Sequence, residues 1–129
     1  MDTVTKSSSA DGRFDVLTEA CPTRQVIGRI GDKWTLLVLT ALIGETLRFS
    51  ELTRRVEGIT QKMLTQTLRG LERDGLVVRT VYPVIPPKVE YTMTDRGSAL
   101  AELVSGIRLW AYATMDDIET SRREFDERS

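Results

Sequence analysis

A chain of 129 residues with a formal net charge of −1, one cysteine and no histidine is long enough for one small domain with extensions and too short for two. The single cysteine excludes an internal disulfide framework, and the missing histidine removes the commonest general base and metal ligand together. No apolar run reaches the roughly 18 residues of a membrane helix, and residues 1–12 lack the basic-then-apolar order of a signal peptide, so a cytoplasmic protein with no membrane partner is expected. Enzymatic readings find little to stand on. There is no glycine-rich phosphate loop, no serine in a nucleophile elbow and no second cysteine for zinc, and the carboxylate pairs Asp116-Asp117 and Asp126-Glu127 fall in a polar tail. The expectation is a protein without catalytic residues, metal or cofactor.

Residues 1–20 read as a flexible N-terminal extension. Cys21-Pro22 then opens the first element: proline suits the first helical position, which makes Cys21 the N-cap. A thiol there meets unpaired N–H groups and the positive end of the helix dipole, with Arg24 one turn away, and both favour the thiolate. The plain reading is a small cap residue kept for packing; the sharper one is a redox sensor. Val26, Ile27 and Ile30 lead to a turn at Gly31-Asp32, and Lys33-Trp34 opens an apolar run from Thr35 to Ile43 closed by Gly44. Leu36, Leu37, Leu39, Ala41, Leu42 and Ile43 surround nearly the whole of this second helix, which predicts that it is central and the most buried. Leu47-Arg48-Phe49 is expected to add a short third strand to a later hairpin.

From Phe49 to Leu76 the chain reads as two short helices joined by a tight turn. Ser50 is the expected cap of the first, with Phe49 as an anchor before it and Leu52 and Val56 facing inward. Gly58 permits a positive φ in the turn and Ile59 plugs the angle between the helices. Thr60 caps the second helix and Gly75 ends it. At about 100° per residue, Lys62, Thr65, Gln66, Arg69 and Arg73 share an arc of about 100° that holds no acid, while Leu64, Leu68 and Leu71 lie opposite. A solvated face is the bland reading of such a stripe. Its order favours a DNA reader: Gln61, Lys62, Thr65 and Gln66 lie where helix-turn-helix proteins place base contacts, and Arg69 and Arg73 follow where phosphate contacts belong.

What comes next strengthens that reading. Leu76 to Tyr82 is a β-branched run, Pro83 to Pro87 holds three prolines, and Lys88 to Met93 alternates, which together predict a β-hairpin around a stiff loop. A hairpin directly after a reading helix is the wing of a winged helix-turn-helix, from which Arg79 and Lys88 are candidates to reach flanking phosphates or the minor groove. Thr94 caps a last helix beginning at Asp95, with Leu100, Leu103, Val104, Ile107, Trp110, Ala111, Met115 and Ile118 recurring at three- and four-residue steps. Gly106 is placed to bend it, and the charged residues after Ile118 are expected to fray, with Phe125 as a late anchor. This ridge is longer than one small domain can cover, so dimerisation through the terminal helices is expected.

Charge is distributed to match. Residues 47–91 hold eight Lys/Arg against five acids (+3), residues 95–129 five against eight (−3), and residues 1–46 five against six (−1). The positive field thus sits on the reading head, where it can steer a duplex to one face. So small an excess also predicts weak binding by one copy, a weakness that pairing would mend.

The blocks Cys21-Pro22, Ile30 to Trp34, Arg48 to Leu52, Gly58 to Thr65, Leu71 to Val77 and Val89 to Thr94 resemble, in order and spacing, the HxlR-type winged helix regulators of bacteria, relatives of the MarR group. The likeness covers about Cys21 to Trp110, leaving 111–129 as a C-terminal helical tail. It implies a mainly α fold with a small β-hairpin wing. It also implies a homodimer joined by N- and C-terminal helices that binds double-stranded DNA at a pseudo-palindromic operator and regulates nearby genes, with repression the expected sign. Members that sense electrophiles, quinones, aldehydes or oxidants use a cysteine at the position of Cys21, so the resemblance implies an oxidant or electrophile as the signal; a small apolar ligand is the alternative effector. The DNA-facing set is then Ser50, Thr60, Gln61, Lys62, Thr65, Gln66, Arg69, Arg73, Arg79 and Lys88. The competing class is a winged helix that docks to protein, with Arg69 and Arg73 pairing acidic partners. The glutamines in the first half of the stripe favour DNA, because Gln reads adenine edges with two bonds.

Overall fold

The computed structural model describes residues 14–129. Their elements run α1 (Pro22–Ile30), α2 (Lys33–Ala41), α3 (Phe49–Arg55), α4 (Gln61–Arg73), β1 (Val77–Tyr82), β2 (Lys88–Met93) and α5 (Asp95–Arg128). Most of the expected N-terminal extension, residues 1–13, lies outside the described residues.

The helix ends are set by the residues that the sequence nominates. Thr60 Oγ1 accepts the Met63 N–H at 3.0 Å at the head of α4, and Thr94 Oγ1 accepts the Gly97 N–H at 3.0 Å at the head of α5. Asp32, read from the sequence only as part of a turn, does the same for α2 through the Thr35 N–H at 3.2 Å. At the foot of α4, Leu76 N–H donates to the Leu71 carbonyl and Gly75 N–H to that of Glu72, the paired bonds of a Schellman ending, with Gly75 at φ +73°. Gly58, at φ +89°, turns the chain between α3 and α4.

One cap falls elsewhere. α3 starts at Phe49 with Arg48 as its N-cap, because Glu51 reaches back to accept the Arg48 N–H at 2.8 Å. Ser50 therefore sits inside the first turn rather than before it. This early start also shortens the expected third strand. Once Phe49 is helical, only Leu47 is left to pair, and it makes a single bridge to Tyr91 with bonds of 3.0 and 2.8 Å.

α2 is central, as expected, touching α1, α3, α4 and α5. Val38, Leu39 and Leu42 are at most 1% exposed and join Leu52, Val56, Leu64, Leu68, Leu71 and Val104 in one core. It is not buried all round. Leu37, and Ile43 two residues past the end of the helix, stay about two-fifths exposed. β1 and β2 form an antiparallel hairpin in the register Val77↔Met93 to Tyr82↔Lys88. Val77 and Tyr91 are its buried residues and seat the wing on the core.

The two terminal helices use little of their apolar surface within the chain. α1 buries no residue at all, and Val26 and Ile27 are exposed. α5 runs 34 residues without a break at Gly106, about 51 Å at about 1.5 Å per residue, and buries only Gly97, Ala101 and Val104. Leu103, Ile107, Leu109, Trp110 and Tyr112 are each more than half exposed.

Candidate nucleic-acid interface

α4 owes its orientation to its leucines. Leu64, Leu68 and Leu71 are at most 2% exposed against α2, so the opposite side of the helix must face out. Gln61, Lys62, Thr65, Gln66, Arg69 and Arg73 are all exposed there, as is Thr60 at the cap. The six side chains form one outward surface, and α3 stands beside it with Ser50 exposed in its first turn.

Between α4 and the hairpin lies a groove of about 620 Å³. Gln61, Thr65 and Arg69 line it from α4, Arg79 from β1, and Phe49 and Tyr91 form part of its apolar floor. The register explains Arg79's place: it stands opposite Tyr91, whose ring is buried. Arg69 and Arg79, distant in sequence, are thereby brought to one cleft, a geometry suited to holding a phosphate strand between reading helix and wing. Glu72 also lines this cleft. The acid-free arc read from the sequence stops just short of it, and its position three residues after Arg69 was the available signal.

Lys88 is placed differently. It opens β2, with its ammonium 3.4 Å from Glu90 and 5.2 Å from the centre of the Tyr82 ring. Its charge is engaged within the hairpin, and it is not among the groove residues. Two further residues escaped the sequence reading. Arg29 at the foot of α1 pairs with Asp74 at the C-cap of α4, Nε to Oδ2 at 2.5 Å, across 45 positions. No local pattern signals a contact of that separation.

Cys21 is the N-cap of α1 and is 3% exposed. Burial pushes its thiol up, but hydrogen bonding from Thr23 and from the backbone of Arg24, Thr23 and Asp15 outweighs this and leaves it below its ordinary value. The Arg24 guanidinium, expected to help, instead donates to the Leu17 carbonyl at 3.4 Å. Its backbone amide supplies the help. Among the described residues no group of three or more His, Cys, Asp and Glu is placed to hold a metal, and no helix is long and apolar enough to cross a membrane.

Known proteins similar to this chain in sequence and shape are named as transcriptional regulators. The chain is 38% identical over 110 residues to the uncharacterised HTH-type transcriptional regulator YtfH of Escherichia coli, covering 85% of this chain and 87% of that one. The structure of the transcriptional regulator ytfH from Salmonella typhimurium superimposes with a TM-score of 0.80 at 36% identity, over 85% of this chain and 98% of the other. The redox regulator HypR in its reduced form gives a TM-score of 0.71 at 39% identity, over 77% and 98%. Together with the HxlR-like helix-turn-helix model, which matches residues 29–119, these likenesses establish that the chain belongs to the HxlR-like helix-turn-helix family of transcriptional regulators.

Proposed function

We propose that the protein is a homodimeric, sequence-specific DNA-binding regulator that represses transcription from a pseudo-palindromic operator. The observation that carries this reading is the outward surface of α4, where Lys62, Thr65, Gln66, Arg69 and Arg73 stand together, with a groove alongside that brings Arg69 and Arg79 together and holds one acid, Glu72. Lys62, Thr65 and Gln66 read base edges in the major groove, and Arg69, Arg73 and Arg79 hold phosphates on either side. Gln61 joins them in reading base edges, Thr60 meets the backbone at the helix N-terminus, Ser50 contacts it from α3, and Lys88 keeps the wing in shape for the contact. Pairing through α1 and α5 covers their apolar faces and presents two reading helices to two half-sites.

Control enters at Cys21. Its surroundings favour the thiolate, the form that attacks oxidants and electrophiles, which supports the thiol over a small apolar ligand as the point of entry. Since the chain has one cysteine, a disulfide would join two subunits. The named role of HypR as a redox regulator points the same way.

Mobility shifts on the DNA upstream of the protein's own gene, at several salt concentrations, test the DNA reading. A specific complex whose affinity falls steeply with salt is expected. Equal, weak binding to all sequences would overturn it in favour of a protein-docking winged helix.

A further inference from the structure

α4 carries a glycine, Gly70, in its last turn, where alanine would ordinarily make a better helix. The structure gives the reason. A Cβ on Gly70 would collide with Nη1 of Arg29 and press on its Cζ, so the arginine of α1 lies directly over the bare backbone of the reading helix. From there its Nε bonds Asp74 at 2.5 Å, with both side chains less than a third exposed. Asp74 is itself the C-cap of α4, and its carbonyl accepts from Nη1 of Arg96 at 3.2 Å. The foot of the reading helix is thus clasped by arginines from α1 and from α5, the two helices whose apolar faces the chain leaves uncovered.

We propose that Arg29, seated on Gly70 and paired with Asp74, is a positioning residue that fixes the angle of the reading helix relative to α1. α1 buries no residue of its own, and this pair ties its foot to the end of α4. The clasp makes it and the end of α4 move together. The spacing of two reading helices in a dimer then depends on this pair, whereas attraction to phosphate does not. This rests on the DNA reading proposed above and adds the residue that sets its precision.

The test uses the full chain and two probes: a duplex enriched by the wild-type protein from a random-sequence library, and a scrambled duplex of the same composition. Arg29→Met should weaken binding to the enriched duplex on the order of tenfold and leave the scrambled one within about twofold. The exchange Arg29→Asp with Asp74→Arg should recover part of the loss. Gly70→Ala is the decisive variant, because it favours the helix and keeps the charge while evicting the guanidinium. It should lose the same preference without a fall in melting temperature. Equal losses on both duplexes, or an unchanged preference in Gly70→Ala, would overturn the proposal. If the wild type enriches no duplex, the DNA reading fails first and this inference with it.

Discussion

Gly97 and the carbonyl of Leu76 pass so close that a Cβ on the glycine would meet the oxygen and then the carbonyl carbon. Thr94 fastens the same point. Its N–H donates to the Leu76 carbonyl at 3.1 Å, and its hydroxyl donates to the Gly75 carbonyl at 2.7 Å while accepting from Gly97. The end of the reading helix, the start of the wing and the start of α5 therefore share one small joint. The obstructing atoms are backbone and cannot swing aside, so Gly97→Ala should cost about 1–3 kcal/mol. A lower urea midpoint with an unchanged slope is the expected result.

The outward face of α4 should divide by function. Lys62→Ala and Gln66→Ala should each relax preference at particular base pairs, at about 1–3 kcal/mol. Arg73→Ala and Arg79→Ala should weaken all sequences alike and lower the slope of log affinity against log salt by about 1 each. Glu72 shares the groove with Arg69 and Arg79, so Glu72→Gln should strengthen binding to unrelated duplexes more than to the preferred one. Titrations at several salt concentrations separate these outcomes.

How much of this was legible depends on how far each feature reaches along the chain. The Thr60 and Thr94 caps, the positive φ of Gly58 and Gly75 and the hairpin from Val77 to Met93 all lie where the sequence places them, because each is decided within a few residues. The outward turn of Lys62, Gln66 and Arg69 was legible too, through the leucines opposite. The Arg48 cap was missed because Glu51 competes with Ser50 for the same turn. Arg29 with Asp74, and Gly97 against Leu76, belong to tertiary packing and have no local signature. The exposure of Leu37 and Ile43 likewise depends on what the neighbouring elements cover.

Thr60→Ala removes the side-chain acceptor for the Met63 N–H and should cost about 1 kcal/mol of stability. The loss falls at the end of α4 that the proposed function places in the DNA major groove. Thr60→Asp should restore the cap yet bind DNA more weakly than the wild type, because on the proposed reading its carboxylate would face phosphate. Thermal melts and binding titrations on the two variants distinguish cap from contact.

Cys21 offers a pH test with a definite sign. The folded thiol ionises below its ordinary value, so the thiolate's contribution to stability is fully present above the unfolded value and is lost as pH falls through the folded one. Between those two values the wild type should gain stability with rising pH relative to Cys21→Ser. Alkylation of the folded protein, monitored over the same range, should reach half its plateau rate at a lower pH than that of a free cysteine. Coincident midpoints would remove the special ionisation.

The terminal helices carry the last prediction. α1 buries no residue, and α5 leaves Leu103, Ile107 and Trp110 more than half exposed, a run of large apolar side chains that a single chain does not cover. Residues 47–91 carry an excess of only +3, so one head alone is expected to bind DNA weakly. If the exposed run is where two copies meet, Ile107→Glu should place like charges face to face in an apolar seam and yield a folded monomer in sedimentation. Its circular dichroism should keep the helical signal, since Ile107 lies outside the core of the chain. Its affinity for the preferred duplex should fall by far more than a direct contact of about 1–3 kcal/mol would explain, because the second half-site is lost with the second head. An Ile107→Glu protein that still sediments as the wild type does would move the meeting surface off α5.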